Sequence, residues 1–115
     1  MLTDEVRYKL LGLLEANPKM SQRDVARELG ISLGKVNYCL KLLVEKGWIK
    51  AVNFKNSKNK VAYMYLMTPR GLEEKAGVTL RFLQRKIREY EELGADIERI
   101  RREVQQRSAQ ESSNE

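Results

Sequence analysis

The sequence predicts a mainly α-helical protein that contains one small β-hairpin and ends in a long C-terminal helix. Apolar residues recur at helical spacing in three short segments before residue 48. Two strand-like segments, 48–54 and 61–67, then flank the acid-free stretch FKNSKNK. After Thr68 the spacing of apolar residues alternates between four and three, which is typical of a long helix that pairs with another helix.

Each of the first three helices has a recognisable start. Thr3, Ser21 and Ser32 are N-cap residues, because their side chains can accept a hydrogen bond from the first helical turn. Pro18 ends the first helix and Gly30 ends the second helix in a left-handed conformation. The predicted helices are 3–16, 21–29 and 32–46, and a fourth helix starts with Thr68 as its N-cap and Pro69 in its first turn.

Positive charge is concentrated on the predicted hairpin. The formal net charge is +6, so an anionic partner is expected, nucleic acid before a membrane surface. Residues 48–71 contain five Lys/Arg and no Asp/Glu, whereas residues 72–115 contain nine and ten. Lys55, Lys58 and Lys60 at the hairpin tip are therefore predicted to contact DNA phosphates or the minor groove. The alternative is that these lysines only keep an exposed hairpin soluble and unpaired.

The third predicted helix has two faces of different chemistry. Its apolar stripe consists of Leu33, Val36, Cys39, Leu40 and Leu43. The opposite face carries a small residue, an amide, a phenol and lysines, which can reach base edges or phosphates. The predicted DNA-binding residues of this helix are Ser32, Gly34, Lys35, Asn37, Tyr38 and Lys41. An ordinary solvent-exposed helix face is the alternative.

The second helix contributes a smaller set of predicted contacts. Ser21, Gln22 and Arg23 lie at its start, where side chains and backbone N–H groups can meet phosphate. The alternative is that they only cap the helix. Arg70, after the hairpin, is a weaker candidate of the same kind.

The C-terminal helix carries a heptad seam that predicts a homodimer. The predicted dimerisation residues are Leu80, Leu83, Ile87, Tyr90 and Ile97. Gly77 is predicted to break or kink the helix, with Thr79 restarting it. The alternative is that the helix packs only on its own domain, although it is too long for a small core to cover.

Composition argues against several other classes of function. The chain has no histidine and one cysteine, so an internal disulfide is impossible and the commonest general base and metal ligand are missing. We predict no enzymatic activity, no metal and no cofactor. Neither a signal peptide nor an apolar run of about 18 residues is present, which predicts a cytoplasmic protein without a membrane partner. Cys39 is predicted to be a small buried hydrophobe, with oxidant sensing as the alternative.

Two longer segments carry a family resemblance. SQRDVARELGISLGKVNYCLKLLVEKGWIK, residues 21–50, and YMYLMTPRG, residues 63–71, resemble the winged helix-turn-helix of MarR-type regulators. These segments are also similar to the sequences of small MarR family regulators found beside exopolysaccharide gene clusters. Met67, before Thr68, is a minor departure from their pattern.

The resemblance implies a sequence-specific regulator that binds double-stranded DNA as a homodimer and controls exopolysaccharide-type genes. The chain is predicted to comprise a DNA-binding domain at 1–71, a dimerisation helix at 72–107 and, from its composition, a disordered tail at 108–115. The resemblance identifies no small-molecule effector. The alternatives are a winged-helix module that binds another protein through its coiled coil, and an RNA-binding winged helix.

Overall fold

The computed structural model describes residues 2–113 and confirms the predicted fold class. Within those residues the chain forms four helices and one antiparallel hairpin. The elements are α1 Asp4–Ala16, α2 Gln22–Leu29, α3 Leu33–Glu45, β1 Ile49–Lys55, β2 Val61–Met67 and α4 Pro69–Ser113. The chain divides into two compact units, Met1–Phe82 and Leu83–Glu115.

The predicted helix caps are confirmed. Each capping hydroxyl accepts one backbone hydrogen bond, from Val6 N–H to Thr3 at 3.2 Å, from Asp24 N–H to Ser21 at 3.1 Å and from Lys35 N–H to Ser32 at 3.1 Å. Gly30 ends α2 with a φ of 67°, a conformation that glycine adopts without steric cost. These local signals fix where the three short helices begin, and the apolar residues of α3 decide which of its faces turns inward.

One apolar cluster fills the first unit. It is built by α1, α2, the inner face of α3, the hairpin and one residue of α4. Its most deeply buried large side chains are Leu10, Leu11, Leu14, Val25, Val36, Leu40, Leu43, Ile49 and Val78. Burying each such side chain contributes about 1.5–3 kcal/mol. The cluster also contains Trp48, which anchors the chain in the core directly before β1.

The hairpin is held at its base and extends away from the core. β1 and β2 pair antiparallel, from Ile49 opposite Met67 to Lys55 opposite Val61. Tyr65 N–H donates to the carbonyl of Pro18 at 3.0 Å, so the loop before α2 lies beside β2. The base of the hairpin is therefore fixed by the core and by this loop, while its tip is exposed.

The turn between β2 and α4 is locked by Thr68. Its N–H donates to the carbonyl of Trp48 at 3.0 Å, and its hydroxyl donates to the carbonyl of Gly47. The same hydroxyl accepts a hydrogen bond from Gly71 N–H at 3.0 Å, which confirms Thr68 as the N-cap of α4. The start of α4 is consequently tied to the chain on both sides of the hairpin.

The first turns of α4 pack against α1 inside the first unit. Charged and aromatic contacts join the two helices, namely Lys75 to Glu15 at 2.6 Å, Arg81 to Asp4 at 3.0 and 3.3 Å, and Tyr8 stacked on Phe82 with ring centroids 4.8 Å apart. These contacts explain why the first unit extends to Phe82, beyond the domain boundary predicted near residue 71.

Arg81→Ala is expected to reduce stability in a pH-dependent way. The hydrogen bond from Arg81 lowers the pKa of Asp4. A carboxylate with a lowered pKa stabilises the fold above its ordinary value, about 3.9, and this contribution is lost as the pH falls through the folded-state pKa. Because both groups are exposed to solvent screening, we expect only a small loss of stability at pH 7.

Urea unfolding of both proteins between pH 7 and pH 2.5 checks this expectation. The difference between them should shrink progressively below about pH 4. Arg101→Ala, which removes an exposed arginine from the second unit, should leave the first unit's stability unchanged. A difference that stays constant across the pH range would show that Arg81 acts through packing rather than through its ion pair with Asp4.

Two sequence predictions for α4 need correction. The helix passes through Gly77 without a break, and the Thr79 hydroxyl donates to the carbonyl of Lys75 at 2.7 Å instead of capping a new helix. The predicted disordered tail is helical as far as Ser113, where Arg107 and Glu111 form an ion pair one turn apart. Residues 114 and 115 of that tail lie outside the described residues.

Candidate nucleic-acid interface

The outer face of α3 is uncovered by its own unit. Val36, Cys39, Leu40 and Leu43 are buried, whereas every predicted DNA-binding residue on this helix is exposed, namely Ser32, Gly34, Lys35, Asn37, Tyr38 and Lys41. Within residues 2–113, no ion pair or side-chain hydrogen bond engages Asn37, Tyr38 or Lys41. Their polar groups are thus available to an outside partner.

Leu33 corrects the predicted inner stripe of α3. Its spacing predicts that it faces the core, but its side chain is 43% exposed. The reason is its position in the first turn, beyond the edge of the core, which begins at Val36. An exposed leucine beside Asn37 and Tyr38 adds an apolar group to this face, and such a group can contact a thymine methyl.

The side chains at the start of α2 have two different roles. Arg23 is exposed, and the Ser21 hydroxyl serves as the helix cap. The Gln22 amide donates to the Tyr65 hydroxyl at 3.1 Å and is half-buried. Gln22 therefore connects α2 to the hairpin, a role that sequence reasoning missed because the two residues lie far apart in the chain.

The hairpin tip is ordered by asparagines rather than by glycine. The Asn56 side-chain oxygen accepts from the backbone N–H groups of Lys58 and Lys60 at 3.0 and 3.1 Å. Asn59 has a φ of 59°, so an asparagine supplies the left-handed residue of the turn. The backbone of the tip is therefore fixed by its own residues.

The tip lysines are free to meet an anion. Lys55, Lys58 and Lys60 are exposed, and no acid lies within the tip. No ion pair engages their ammonium groups within the described part of the chain. The tip thus presents a fixed cluster of positive charge, which suits contact with consecutive phosphates.

A further cation beside the hairpin was not predicted. The Lys19 ammonium lies 5.3 Å from the centre of the Phe54 ring, in the range of a cation–π contact. The loop that carries Lys19 is held against β2 by the hydrogen bond to Pro18. Lys19 extends the positive surface from the tip toward the base of the hairpin, and nothing in its local sequence indicates this position.

An open groove runs between α3 and the hairpin. Its lining residues are Gln22, Asn37, Leu40, Lys41, Val44, Glu45, Ala51, Tyr63 and Tyr65. Tyr63 is 59% exposed and adds a phenol to the side of the groove opposite Asn37 and Lys41. The outer face of α3, which is predicted to contact DNA bases, and one face of the hairpin therefore border a single concave surface.

Acidic and cysteine side chains do not gather into a metal-binding group among the described residues. No group of three or more acidic or cysteine side chains that could hold a metal ion occurs in residues 2–113. Burial raises the pKa of the Cys39 thiol, consistent with the predicted small buried hydrophobe. No helix in the same part of the chain is long and apolar enough to cross a membrane.

The second unit carries an exposed apolar stripe along α4. The predicted dimerisation residues Leu83, Ile87, Tyr90 and Ile97 are all exposed, and Tyr90 reaches 78%. Leu93, Ile100 and Val104 extend the stripe. In the first unit, the fifth predicted dimerisation residue, Leu80, is likewise exposed. Exposed large apolar side chains in a continuous row indicate an interaction surface.

Comparison with known proteins identifies the N-terminal part of the chain. Residues 3–50 match the family described as winged helix-turn-helix DNA-binding. Over 48 residues the chain is 44% identical to the HTH-type transcriptional regulator Ptr1 of Methanocaldococcus jannaschii, covering 42% of this chain and 32% of that protein. The chain thus spans about a third of the length of that relative. Residues 3–50 are therefore similar to winged helix-turn-helix DNA-binding domains.

Solved structures share the fold over most of the chain. The PcaV transcriptional regulator of Streptomyces coelicolor superposes with a TM-score of 0.64 at 19% identity, covering 95% of this chain and 79% of that one. A MarR/EmrR family transcriptional regulator from Acinetobacter sp. ADP1 gives 0.55 at 20% identity, covering 87% and 75%. The winged-helix fold implied by the sequence resemblance is therefore confirmed. These relatives are regulators of transcription and not enzymes.

Proposed function

We propose that this chain, which carries a winged helix-turn-helix DNA-binding domain, is a MarR-type, sequence-specific transcriptional regulator that acts in the cytoplasm. One observation carries the proposal: Asn37, Tyr38 and Lys41 on the outer face of α3 and the lysines of the acid-free hairpin tip are exposed. Within residues 2–113 the side chains of these three residues form no ion pair or hydrogen bond, and the ammonium groups of the tip form no ion pair. The matched domain and the named regulators support it.

In the proposed complex α3 lies in the major groove and reads bases. Asn37 pairs with adenine through its amide, and Lys35 and Lys41 reach guanine or phosphate oxygens. Leu33 and Tyr38 contact thymine methyl groups or sugars. Ser32, at the N-terminus of α3, lies where the backbone N–H groups of the first turn meet a phosphate.

The hairpin is the proposed wing, which positions the protein without reading sequence. Lys55, Lys58 and Lys60 contact phosphates or enter the minor groove. The groove between α3 and the hairpin receives the phosphate backbone that separates the two DNA grooves. Tyr63 and Lys19 line the approach to that backbone.

Replacing Lys55, Lys58 and Lys60 together with alanine is expected to weaken binding to all duplex DNA and to make it less dependent on salt. For each phosphate that the protein no longer neutralises, the slope of log K against log salt falls by about 0.9 for B-DNA. Fluorescence anisotropy across a salt series, with the DNA upstream of the protein's own gene and a random duplex, measures both quantities.

A matched variant removes three charges elsewhere. Arg99, Arg102 and Arg107, all exposed in the second unit, change to alanine. This variant should keep nearly the wild-type salt slope. An equal decrease of slope in the two triple variants would show that the wing lysines act only through net charge. If wild-type protein binds no duplex above background at low salt, the proposed function is wrong.

Asn37→Ala is expected to reduce discrimination between sequences while leaving binding to random DNA nearly unchanged. A bidentate contact from an amide to adenine contributes about 1–3 kcal/mol of discrimination against the wrong base. Competition of the specific duplex with random DNA measures the ratio of affinities. A uniform loss of affinity for both duplexes would mean that Asn37 contacts phosphate and does not read a base.

The proposed regulator is a homodimer formed through α4, and its genes are of the exopolysaccharide type. The exposed stripe from Leu83 to Val104 supports the dimer. A two-fold dimer binds two half-sites about one helical turn apart, about 34–36 Å. The gene assignment rests on the sequence resemblance, and binding to promoters of exopolysaccharide clusters against unrelated promoters is the test. We propose no effector ligand.

A further inference from the structure

We infer that α4 of the proposed homodimer pairs with α4 of a second copy in the antiparallel direction, with the two-fold axis between Arg88 and Glu89. The inference rests on the proposed dimer and adds its orientation. It concerns the exposed stripe on the second unit, in which Leu83, Ile87, Tyr90, Gly94 and Ile97 occupy successive seam positions.

The first observation is a division of charge at the middle of the stripe. Residues 83–88 contain three basic side chains and no acid, whereas residues 89–98 contain five acids and no base. The basic residues are Arg85, Lys86 and Arg88, and the acids are Glu89, Glu91, Glu92, Asp96 and Glu98. Ion pairs of Arg85 and Lys86 with Glu89, one turn away, join the two blocks at their boundary.

An antiparallel pair brings each basic block beside the acidic block of its partner. Most of these charges lie on the sides of α4 away from the seam, so they are separated by more than the Debye length of about 8 Å at physiological salt and attract only weakly. The charge division therefore adds little, and the sizes of the seam residues carry the orientation. A parallel pair in register places like blocks beside each other. It would bring Lys86 near the partner's Glu91, while the other charges of each block would be level with their own kind but directed away from the partner helix.

The second observation is the size of the seam residues. A two-fold axis between Arg88 and Glu89 places Leu83 opposite the partner's Gly94, and Ile87 opposite the partner's Tyr90. The large side chain of Leu83 thus packs into the space left by the partner's Gly94. The parallel alternative places Gly94 opposite its own copy, which leaves a void, and Tyr90 opposite its own copy, which crowds the next layer.

Gly94 itself has no other structural reason to be glycine. A Cβ atom added at Gly94 meets no heavy atom within 4 Å, and the residue lies inside a helix, where glycine is unfavourable. An unfavourable helical residue on the seam fits a position that receives the partner's Leu83.

Distances between two identical labels test the orientation in the full chain. A cysteine replacing Gln106 carries a spin label, and wild-type protein, whose Cys39 is buried, controls for labelling of the native thiol. With a rise of 1.5 Å per residue, antiparallel helices place the two labels about 50 Å apart. Parallel helices place them about 10–20 Å apart, which would overturn the inference. A label at Gln84, near the proposed axis, should give a short distance in both cases.

Gly94→Leu supplies an independent test. In the antiparallel dimer the new side chain overlaps the partner's Leu83, so the dimer dissociation constant should rise by about tenfold or more. In a parallel dimer the same change fills the void and tightens the dimer, which would contradict the inference. Ala95→Leu, one residue away and off the seam, is the matched control and should leave the constant unchanged.

Sedimentation separates the failure of this inference from the failure of the proposed dimer. A wild-type mass of one chain, 13.4 kDa, would overturn both the dimer and its orientation. A dimer with short distances at residue 106 would overturn the orientation alone. DNA binding, measured by anisotropy, decides the regulatory function separately from either result.

Discussion

Replacing Gly71 with alanine is expected to lower the stability of the first unit by about 3 kcal/mol or more, or to prevent its folding. Gly71 is buried in the first turn of α4, and a Cβ atom there would overlap the carbonyl oxygen of Trp48. Backbone atoms cannot rotate aside as a flexible side chain can. Overpacking of a core by one methylene typically costs about 1–3 kcal/mol, and a clash with backbone exceeds that range.

The clash cannot be relieved cheaply, because hydrogen bonds fix both sides of it. The carbonyl of Trp48 accepts from Thr68, and Thr68 also accepts from Gly71. Moving α4 away from Trp48 therefore breaks the cap of α4 and the anchor of β1 together. Disruption of this junction should free the hairpin, so Gly71→Ala should abolish DNA binding as well as lower the melting temperature.

Gly12→Ala is the matched control for this prediction. Gly12 lies inside α1, and a Cβ atom there meets no heavy atom within 4 Å. Alanine is favoured over glycine in a helix by about 1 kcal/mol, so this variant should be more stable than wild type. Circular dichroism melts of the three proteins give the comparison. A Gly71→Ala protein that melts with wild type would show that α4 can shift without cost.

Elements whose cause is local could be predicted from the sequence. Thr3, Ser21, Ser32 and Thr68 each cap a helix within three residues of their own position, so short-range chemistry decides the outcome. The inner face of α3 from Val36 onward follows from periodicity. The hairpin tip follows from the preference of asparagine for left-handed backbone.

Features that depend on distant contacts could not be predicted in this way. Leu33 has the right period for burial, but the core ends before it. Lys19 and Gln22 take their places against Phe54 and Tyr65, which are more than thirty residues away. Gly77 carries a local signal for a helix break, which is overridden because contacts with α1 hold α4 on both sides of it, at Lys75 and Arg81.

The candidate site also has a part that could be predicted from the sequence and a part that could not. The exposed residues of α3 and of the hairpin tip were identified from polarity, spacing and charge. The concave surface that joins them was not, because it is made by the approach of Tyr63 to Asn37 and Lys41 in the folded unit. Sequence reasoning therefore identified the two exposed elements that we propose to contact DNA, but not the groove between them.

Ile87→Glu is expected to make the protein monomeric and to reduce its affinity for a duplex with two half-sites by about 10²–10⁴-fold. A buried, unpaired carboxylate at the centre of a helix–helix seam is costly, whereas an exposed one in the monomer is not. Once the dimer has dissociated, the second half-site no longer binds at the high effective concentration that linkage provides.

The monomer's own domain should be unaffected by this change. Ile87 lies outside the first unit and its side chain is 46% exposed. Affinity for a duplex with a single half-site should therefore equal that of wild type, and the melting of the first unit should be unchanged. Gln106→Glu adds the same charge to the second unit away from the stripe, and it should leave mass and affinity as they are.

Sedimentation and anisotropy on both duplexes decide between the interpretations of the stripe. A monomer that loses affinity only for the duplex with two half-sites would show that α4 serves to join two DNA-binding domains. A protein that stays dimeric would place the interface elsewhere, and the stripe would then be a surface for a different partner. If Ile87→Glu becomes monomeric yet binds both duplexes as tightly as wild type, one domain alone recognises the DNA, and the exposed stripe has no part in sequence recognition.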